Sequence, residues 1–220
     1  MMFETSGENA QGETCSAVID IGRLKTAWHW YDFICPFCYV ARSRNEILRR
    51  CGLLVIELPL QVHPEIPAEG VAMGPRSGEL YEYLEREARD ALLPLRWPTR
   101  LPNSRYALQV AERTRRNHLS GFAALYDQFF ASHFALGEDI GDPGLVDRYA
   151  KQVGADVARL VRAMQNGCAN EAVKQSEQAA SEVGVASTPT WLVEGRQLNG
   201  LKSKTFFERL GWQIKNGGCG

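Results

Sequence analysis

Cys35-Pro36-Phe37-Cys38 is the one place in this sequence where two of its six cysteines stand close together along the chain. Two thiols at this spacing can close a local disulfide when the segment opens a helix. Cys35 would then lie at the helix N-terminus, where unpaired backbone N–H groups and the helix dipole favour a thiolate. Cys38, one turn in, would be the resolving thiol. The thiolate is the attacking species in disulfide exchange, so Cys35 is the candidate nucleophile and Cys38 its partner. The same spacing is half of a zinc site, but zinc needs two further ligands close by. His29, His63, His118 and His133 are isolated and there is no second cysteine pair, so no metal is expected. Cys15, Cys51, Cys168 and Cys219 are scattered. They read as buried small residues or inert surface thiols.

Three further positions bear on this chemistry. Thr188-Pro189 precedes an apolar run. Its proline either ends a helix or forms a cis peptide, beside which Thr188 offers its backbone to a substrate chain. Asp32 lies three residues before Cys35. A carboxylate there raises the thiol's pKa or relays its proton, while an ordinary strand-end aspartate is an equal alternative. Phe37, between the cysteines, brings no cation to hold a thiolate. His63-Pro64-Glu65 reads as a loop anchored by its histidine. Arg42, Arg44, Arg113, Arg115 and Arg116 read as solvated helix faces.

The elements that must position these residues follow from pattern. The aromatic segment 25–33 predicts a strand. A helix follows from Cys35 with Pro36 in its first turn, Arg49 and Arg50 in its last, and Gly52 as its stop. Residues 53–62 predict a second strand, with Pro59 marking an edge or bulge. Such a strand–helix–strand unit implies a parallel pair with a right-handed crossover. After a Pro- and Gly-containing stretch at 64–78, residues 79–166 predict helices, interrupted by the Pro94–Pro102 segment. The first of them carries Leu80, Tyr83, Leu84, Glu87 and Ala91. Asn103 or Ser104 caps the next. Phe122, Leu125, Tyr126, Phe129, Phe130 and Phe134 form one broad apolar face. Asp142-Pro143 starts another helix. Residues 170–183 predict a helix, Trp191-Leu192-Val193 a strand, Gly195-Arg196 a turn, 197–200 a returning strand and 202–215 a last helix. The organisation is a polar N-terminal tail, 1–24, an α/β domain from 25–78 and 167–215, and a helical insertion, 79–166.

Composition excludes several classes. The 220 residues are 45% hydrophobic and 23% charged, with a net charge of −1. That balance is ordinary for a globular protein and gives no bulk attraction to nucleic acid or an anionic membrane. No apolar run approaches the roughly 18 residues of a membrane span. The first 24 residues lack the basic start and apolar stretch of a signal peptide, which makes a reducing cytoplasm the expected compartment.

On the segments Asp32-Phe33-Ile34-Cys35-Pro36-Phe37-Cys38-Tyr39, Leu58-Pro59-Leu60-Gln61-Val62-His63-Pro64-Glu65, Asn103-Ser104, Gly137-Glu138-Asp139-Ile140-Gly141-Asp142 and Thr188-Pro189-Thr190, the chain resembles the DsbA-like thioredoxin superfamily, FrnE-type branch. The resemblance runs over 26–212. It implies a thioredoxin fold interrupted by a helical domain and a thiol-disulfide oxidoreductase with Cys35 as nucleophile and Cys38 as resolving thiol. It also implies a cis Pro189 beside a substrate groove formed with Thr188, Pro36 and Phe37. Phe37 and Thr188 depart from the residues common in that branch, which bears on substrate choice and redox potential. The implied partners are protein or peptide thiols and disulfides, with glutathione as an optional co-substrate, no bound cofactor, and a homodimer left open. Two other readings stand beside it. One is a glutathione-dependent isomerase or transferase of the same fold, in which a serine typically replaces the nucleophile. The other is a peptide-binding chaperone.

Overall fold

The computed structural model of the chain describes residues 25–217 and the backbone of two short strands, Met2–Phe3 (β1) and Ile19–Asp20 (β2), which pair antiparallel. The remainder of the 1–24 tail, with Cys15, and Cys219 at the other end lie outside the described residues.

A four-stranded sheet organises the molecule. Its order is β4-β3-β7-β8, with β3 at Thr26–Tyr31, β4 at Leu54–Pro59, β7 at Thr190–Val193 and β8 at Arg196–Asn199. Strand β3 runs parallel to β4, with Thr26 opposite Leu54 and Tyr31 opposite Pro59. It runs antiparallel to β7, with Trp30 opposite Thr190. Pro59 is the last residue of an edge strand, where a missing N–H costs no ladder bond. The β3–β4 crossover is helix α1, Pro36–Arg50, and Gly52 follows its end as expected.

Strand β3 is buried from Ala27 to Tyr31, His29 included, because both of its faces are covered. Ala27 points into a core with Leu48 of α1, Trp191 and Val193 of β7, and Phe207 and Leu210 of the last helix, α8 (Lys204–Lys215). Trp28 and Trp30 point the other way, toward Ala180 and Val185. Ala180 belongs to α7, Cys168–Glu182, whose Ser176 hydroxyl donates to the Pro59 carbonyl at 2.7 Å. Helix α8 comes close enough to α1 that a Cβ at Gly211 would meet the Cys51 sulfur at 2.4 Å. Glycine is required there. Cys51 itself is a free, half-buried thiol, in keeping with a packing role.

Between the strand halves stand α2 (Glu79–Asp90), α3 (Arg105–Asn117), α4 (Leu119–Ala131), a π-helical turn (Ser132–Leu136), α5 (Pro143–Gln152) and α6 (Val157–Gln165). Asp142 caps α5 by accepting from the Gly144 N–H at 3.0 Å, as its sequence predicts. Asn103 accepts from the Arg105 N–H at 2.9 Å at the start of α3. The apolar face from Phe122 to Phe134 is buried throughout. It does not close on the other helices alone. Phe130 meets Phe33 edge-on at 5.0 Å and Tyr126 meets Tyr31 at 4.8 Å, so one core joins the insertion to the end of β3.

Several expectations need correction. Arg44 and Arg113 are 2% and 6% exposed, not solvated. Helices α1 and α3 are covered on more than one side, so their polar stripes turn inward and bring counter-charges with them. Arg44 pairs with Glu87, and fully buried Glu112 accepts from Arg115 and Arg116 at 2.7 Å each. The β7–β8 turn is Glu194-Gly195, one residue earlier than Gly195-Arg196. Both residues have positive φ, 48° and 75°, as a two-residue type I′ hairpin demands. In α2, Leu80 is 53% exposed and Ala88 takes the buried position. The segments 64–78 and 94–102 pair with each other through Val71–Ala72 (β5) and Arg100–Leu101 (β6), a ribbon too short to leave a period in the sequence. Cys168 is disulfide-bonded, not a lone packing thiol.

Candidate active site

Strand β3 ends at Tyr31, and the tight connection from Asp32 to Cys35 delivers the cysteine pair beyond the carboxyl end of the parallel strands. Open α/β sheets form their clefts at that end. The Cys35 N–H donates to the Asp32 carbonyl at 3.1 Å, closing this turn. Cys35 is the N-cap of α1 and Pro36 occupies N1, so the order of residues expected from the sequence is the order observed. The Cys38 N–H donates to the Cys35 carbonyl at 3.0 Å. Both thiols are free, Cys35 at 8% exposure and Cys38 at 0%.

Across the sheet, the Thr188–Pro189 peptide is cis. The Thr188 carbonyl accepts from the Cys35 thiol, with sulfur and oxygen 3.4 Å apart. Thus Thr188, Pro36, Phe37 and Cys35 come together on one cleft of about 540 Å³. Pro189 immediately follows Thr188 at its edge.

The two thiols differ electrostatically. Burial pushes the Cys35 thiol up. Hydrogen bonds from the Cys38 thiol, Thr188 and the Cys38 backbone N–H outweigh that and hold it below the ordinary cysteine range. Cys38 is pushed well above that range by burial first, then by the hydrogen bond to and the charge on Cys35. One thiol is prepared to ionise and its neighbour to stay protonated.

Asp32 is fully buried, and its role is larger than that of a strand-end residue. Its carboxylate accepts from the Val62 N–H at 2.8 Å and the Ile34 N–H at 3.3 Å, pinning the loop after β4 to the cysteine turn. Burial raises its pKa from 3.8 to about 6, against the pull of the Val62 N–H. The folded protein therefore favours the neutral acid. Stability linked to this group is full below about pH 4 and falls as pH rises through 6. A rise of that size corresponds to about 3 kcal/mol. Replacing Asp32→Asn removes the titration. The stability of the parent relative to the variant should drop by about 3 kcal/mol between pH 4 and pH 7.5 in urea unfolding. A difference that stays level across that window would refute the assignment.

Sequence reasoning missed the far wall of the cleft. It is lined by Met73, Arg76, Trp97 and His133, from the irregular segments around β5 and β6 and from the π-helical turn. None of these carries a motif, and only their distance from Cys35 in space connects them. His63 sits on the rim, half exposed and bonded to Glu65 at 2.8 Å, which fits its expected loop role. His29 is buried, stacked on Trp191 and bonded to Asn45, well away from solvent. Among the described residues no three His, Cys, Asp or Glu side chains gather to hold a metal ion, and no helix is long and apolar enough to cross a membrane.

A β–α–β unit with a dithiol at its helix start, helices inserted, and a closing hairpin whose cis proline faces the dithiol define a thioredoxin-like α/β fold. Residues 28–210 match the model of the DSBA-like thioredoxin domain, and the chain belongs to that family. Solved structures carry the same fold at low identity. A probable DsbA oxidoreductase from Streptomyces coelicolor superimposes with a TM-score of 0.74 and 20% identity, covering 87% of this chain and 90% of that one. A 2-hydroxychromene-2-carboxylate isomerase gives 0.64 and 21%, covering 88% and 94%. The cytosolic disulfide reductase DsbM from Pseudomonas aeruginosa, in a structure with glutathione, gives 0.59 and 16%, covering 87% and 96%.

Proposed function

We propose that this protein is a thiol-disulfide oxidoreductase of the FrnE-type branch, exchanging disulfides with protein, peptide or small-thiol substrates through Cys35 and Cys38. The observation that carries this reading is the asymmetry of the pair. The Cys35 thiol sits at a helix N-terminus with its pKa lowered, and Cys38 is sealed behind it with its pKa raised. The Cys35 thiolate attacks one sulfur of a substrate disulfide, forming a mixed disulfide and releasing the other half as a thiolate. Cys38 then attacks the Cys35 sulfur, releasing the second half. Two electrons pass from the pair to the substrate, and the pair ends oxidised. The reverse sequence oxidises a dithiol, and the potential of the compartment sets the direction. Thr188, whose carbonyl already meets the Cys35 thiol, offers backbone to an extended substrate beside Pro36 and Phe37. Asp32, with a pKa of about 6, suits the proton of Cys38 near neutral pH.

The isomerase relative shares the fold, but retention of two free thiols here favours dithiol chemistry over a single-thiol or serine site. The test is exchange with a model disulfide. Cys35→Ser should lower the rate by roughly a thousandfold or more, because an alcohol does not ionise near neutral pH as a thiol does. A variant that keeps the parental rate would end the oxidoreductase reading.

A further inference from the structure

The cleft beside Cys35 is apolar on most of its surface and positive at one point. Among the described residues that line it, Arg76 is the only one with a fixed charge, and there is no carboxylate. Arg76 has no ion-pair partner among the described residues. One of its amino groups donates to the Tyr81 hydroxyl at 3.2 Å and the guanidinium lies 5.6 Å from the centre of that ring, which fixes the side chain without neutralising it. Its Nε is buried, and the N–H there has no acceptor among the described residues. A guanidinium left unpaired at a cleft is suited to a planar, bidentate anion.

His133 supplies a second, independent observation. It is 1% exposed, lines the same cleft, and its Nε2 has no hydrogen-bond partner. Buried polar atoms are nearly always satisfied, so an orphan beside a cleft marks a place where a ligand atom completes the pair. Its ring is held edge-on against Phe134 at 4.6 Å, in the π-helical turn, a kind of irregularity frequent at functional sites.

We propose that Arg76, beside His133, forms a carboxylate-binding subsite, so that the preferred small substrates of Cys35 are disulfides that carry an acid group a few bonds from sulfur. The proposal rests on the oxidoreductase reading and adds to it the chemical class of substrate. Arg76 supplies the charge, and His133, whose other ring nitrogen bonds the Glu138 backbone, leaves Nε2 as an acceptor for a donor group on the same ligand, while Met73 and Trp97 give the apolar wall along which the carbon chain lies. No new redox step is required. The reduced pair passes two electrons to the bound disulfide and releases two thiols.

The test uses the full chain, fully reduced, in single-turnover reactions with two disulfides of matched length. One is 3,3′-dithiodipropionate, with a carboxylate at each end. The other is bis(3-hydroxypropyl) disulfide, which is neutral. The readout is the ratio of their second-order rate constants. Arg76→Gln should lower this ratio about tenfold, and Arg76→Lys, which keeps a charge without the fork, should recover part of it. Added salt should lower the parental ratio too, because the selective contact is electrostatic. A ratio unchanged in Arg76→Gln, in a parent that reduces both compounds, overturns the subsite and leaves the oxidoreductase standing. A parent that reduces neither compound overturns both.

Discussion

Cys38→Ser protein, mixed with a disulfide substrate, should accumulate a mixed disulfide on Cys35 that persists while the parent turns over. In the parent, resolution is an attack by a thiol held one helical turn away, with its backbone N–H bonded to the Cys35 carbonyl. Held groups react as though present at very high local concentration. Replacing that thiol with an external one at millimolar concentration should therefore slow release by roughly a thousandfold or more. The electrostatics give the step an order. Burial raises the Cys38 pKa first, but the next two causes are the hydrogen bond to Cys35 and the negative charge of Cys35 itself. Once the Cys35 sulfur is bonded to substrate, both causes vanish. Cys38 then becomes easier to ionise at the moment its thiolate is needed. Mass spectrometry of the quenched mixture, with peptide mapping, locates the adduct. The complementary variant, Cys35→Ser, should form no adduct, because Cys38 has no exposed surface from which to attack. An adduct on Cys38 in either protein would contradict the assignment of nucleophile and resolving thiol.

Much of this arrangement was legible in the residues themselves. The cysteine spacing, the proline after Cys35 and the aromatic strand before it each state a local rule, and the helix that begins at Pro36 obeys all three. The Thr188-Pro189 pair was equally visible. Its meaning was not, since a helix stop and a substrate-facing cis peptide have the same sequence; only the 3.4 Å approach of the Cys35 thiol to the Thr188 carbonyl separates them. What sequence hid is everything that depends on a second face. Arg44 looks like surface on a helical wheel, yet it is covered by Glu87 of α2, whose position no local pattern specifies. Asp32 could not be told from a strand-end aspartate, because its weight comes from the Val62 N–H, thirty residues away in the chain. Arg76 and His133 carry no motif. They matter only because the β5–β6 ribbon and a π-helical turn bring them to the same cleft as Cys35.

Phe130→Ala should be the most destabilising single change among the aromatic residues of α4. The ring is fully buried and is flanked by Phe33 and Tyr126 at 5.0 Å and by Tyr31 and Tyr39 at 6.2 Å. Those neighbours come from both halves of the molecule and are themselves nearly inaccessible, so they have little freedom to collapse into the space. Truncation of a buried phenylalanine costs about 3–5 kcal/mol, and a site that cannot relax lies toward the upper end. For a chain of this size the midpoint of thermal unfolding should fall by roughly 10 °C or more. Leu80→Ala, at an exposed position on α2, should stay within about 0.5 kcal/mol of the parent. The shape of the transition is as informative as its midpoint. Because Phe130 of the insertion packs on Phe33, two residues before Cys35, the insertion and the sheet should unfold together in one cooperative step in parent and variant alike. The reactivity of the Cys35 thiol should then rise along the same denaturation curve as the loss of helix signal. An insertion that melts first, leaving the Cys35 thiol at its native reactivity, would mean that the aromatic core does not couple the helices to the redox site.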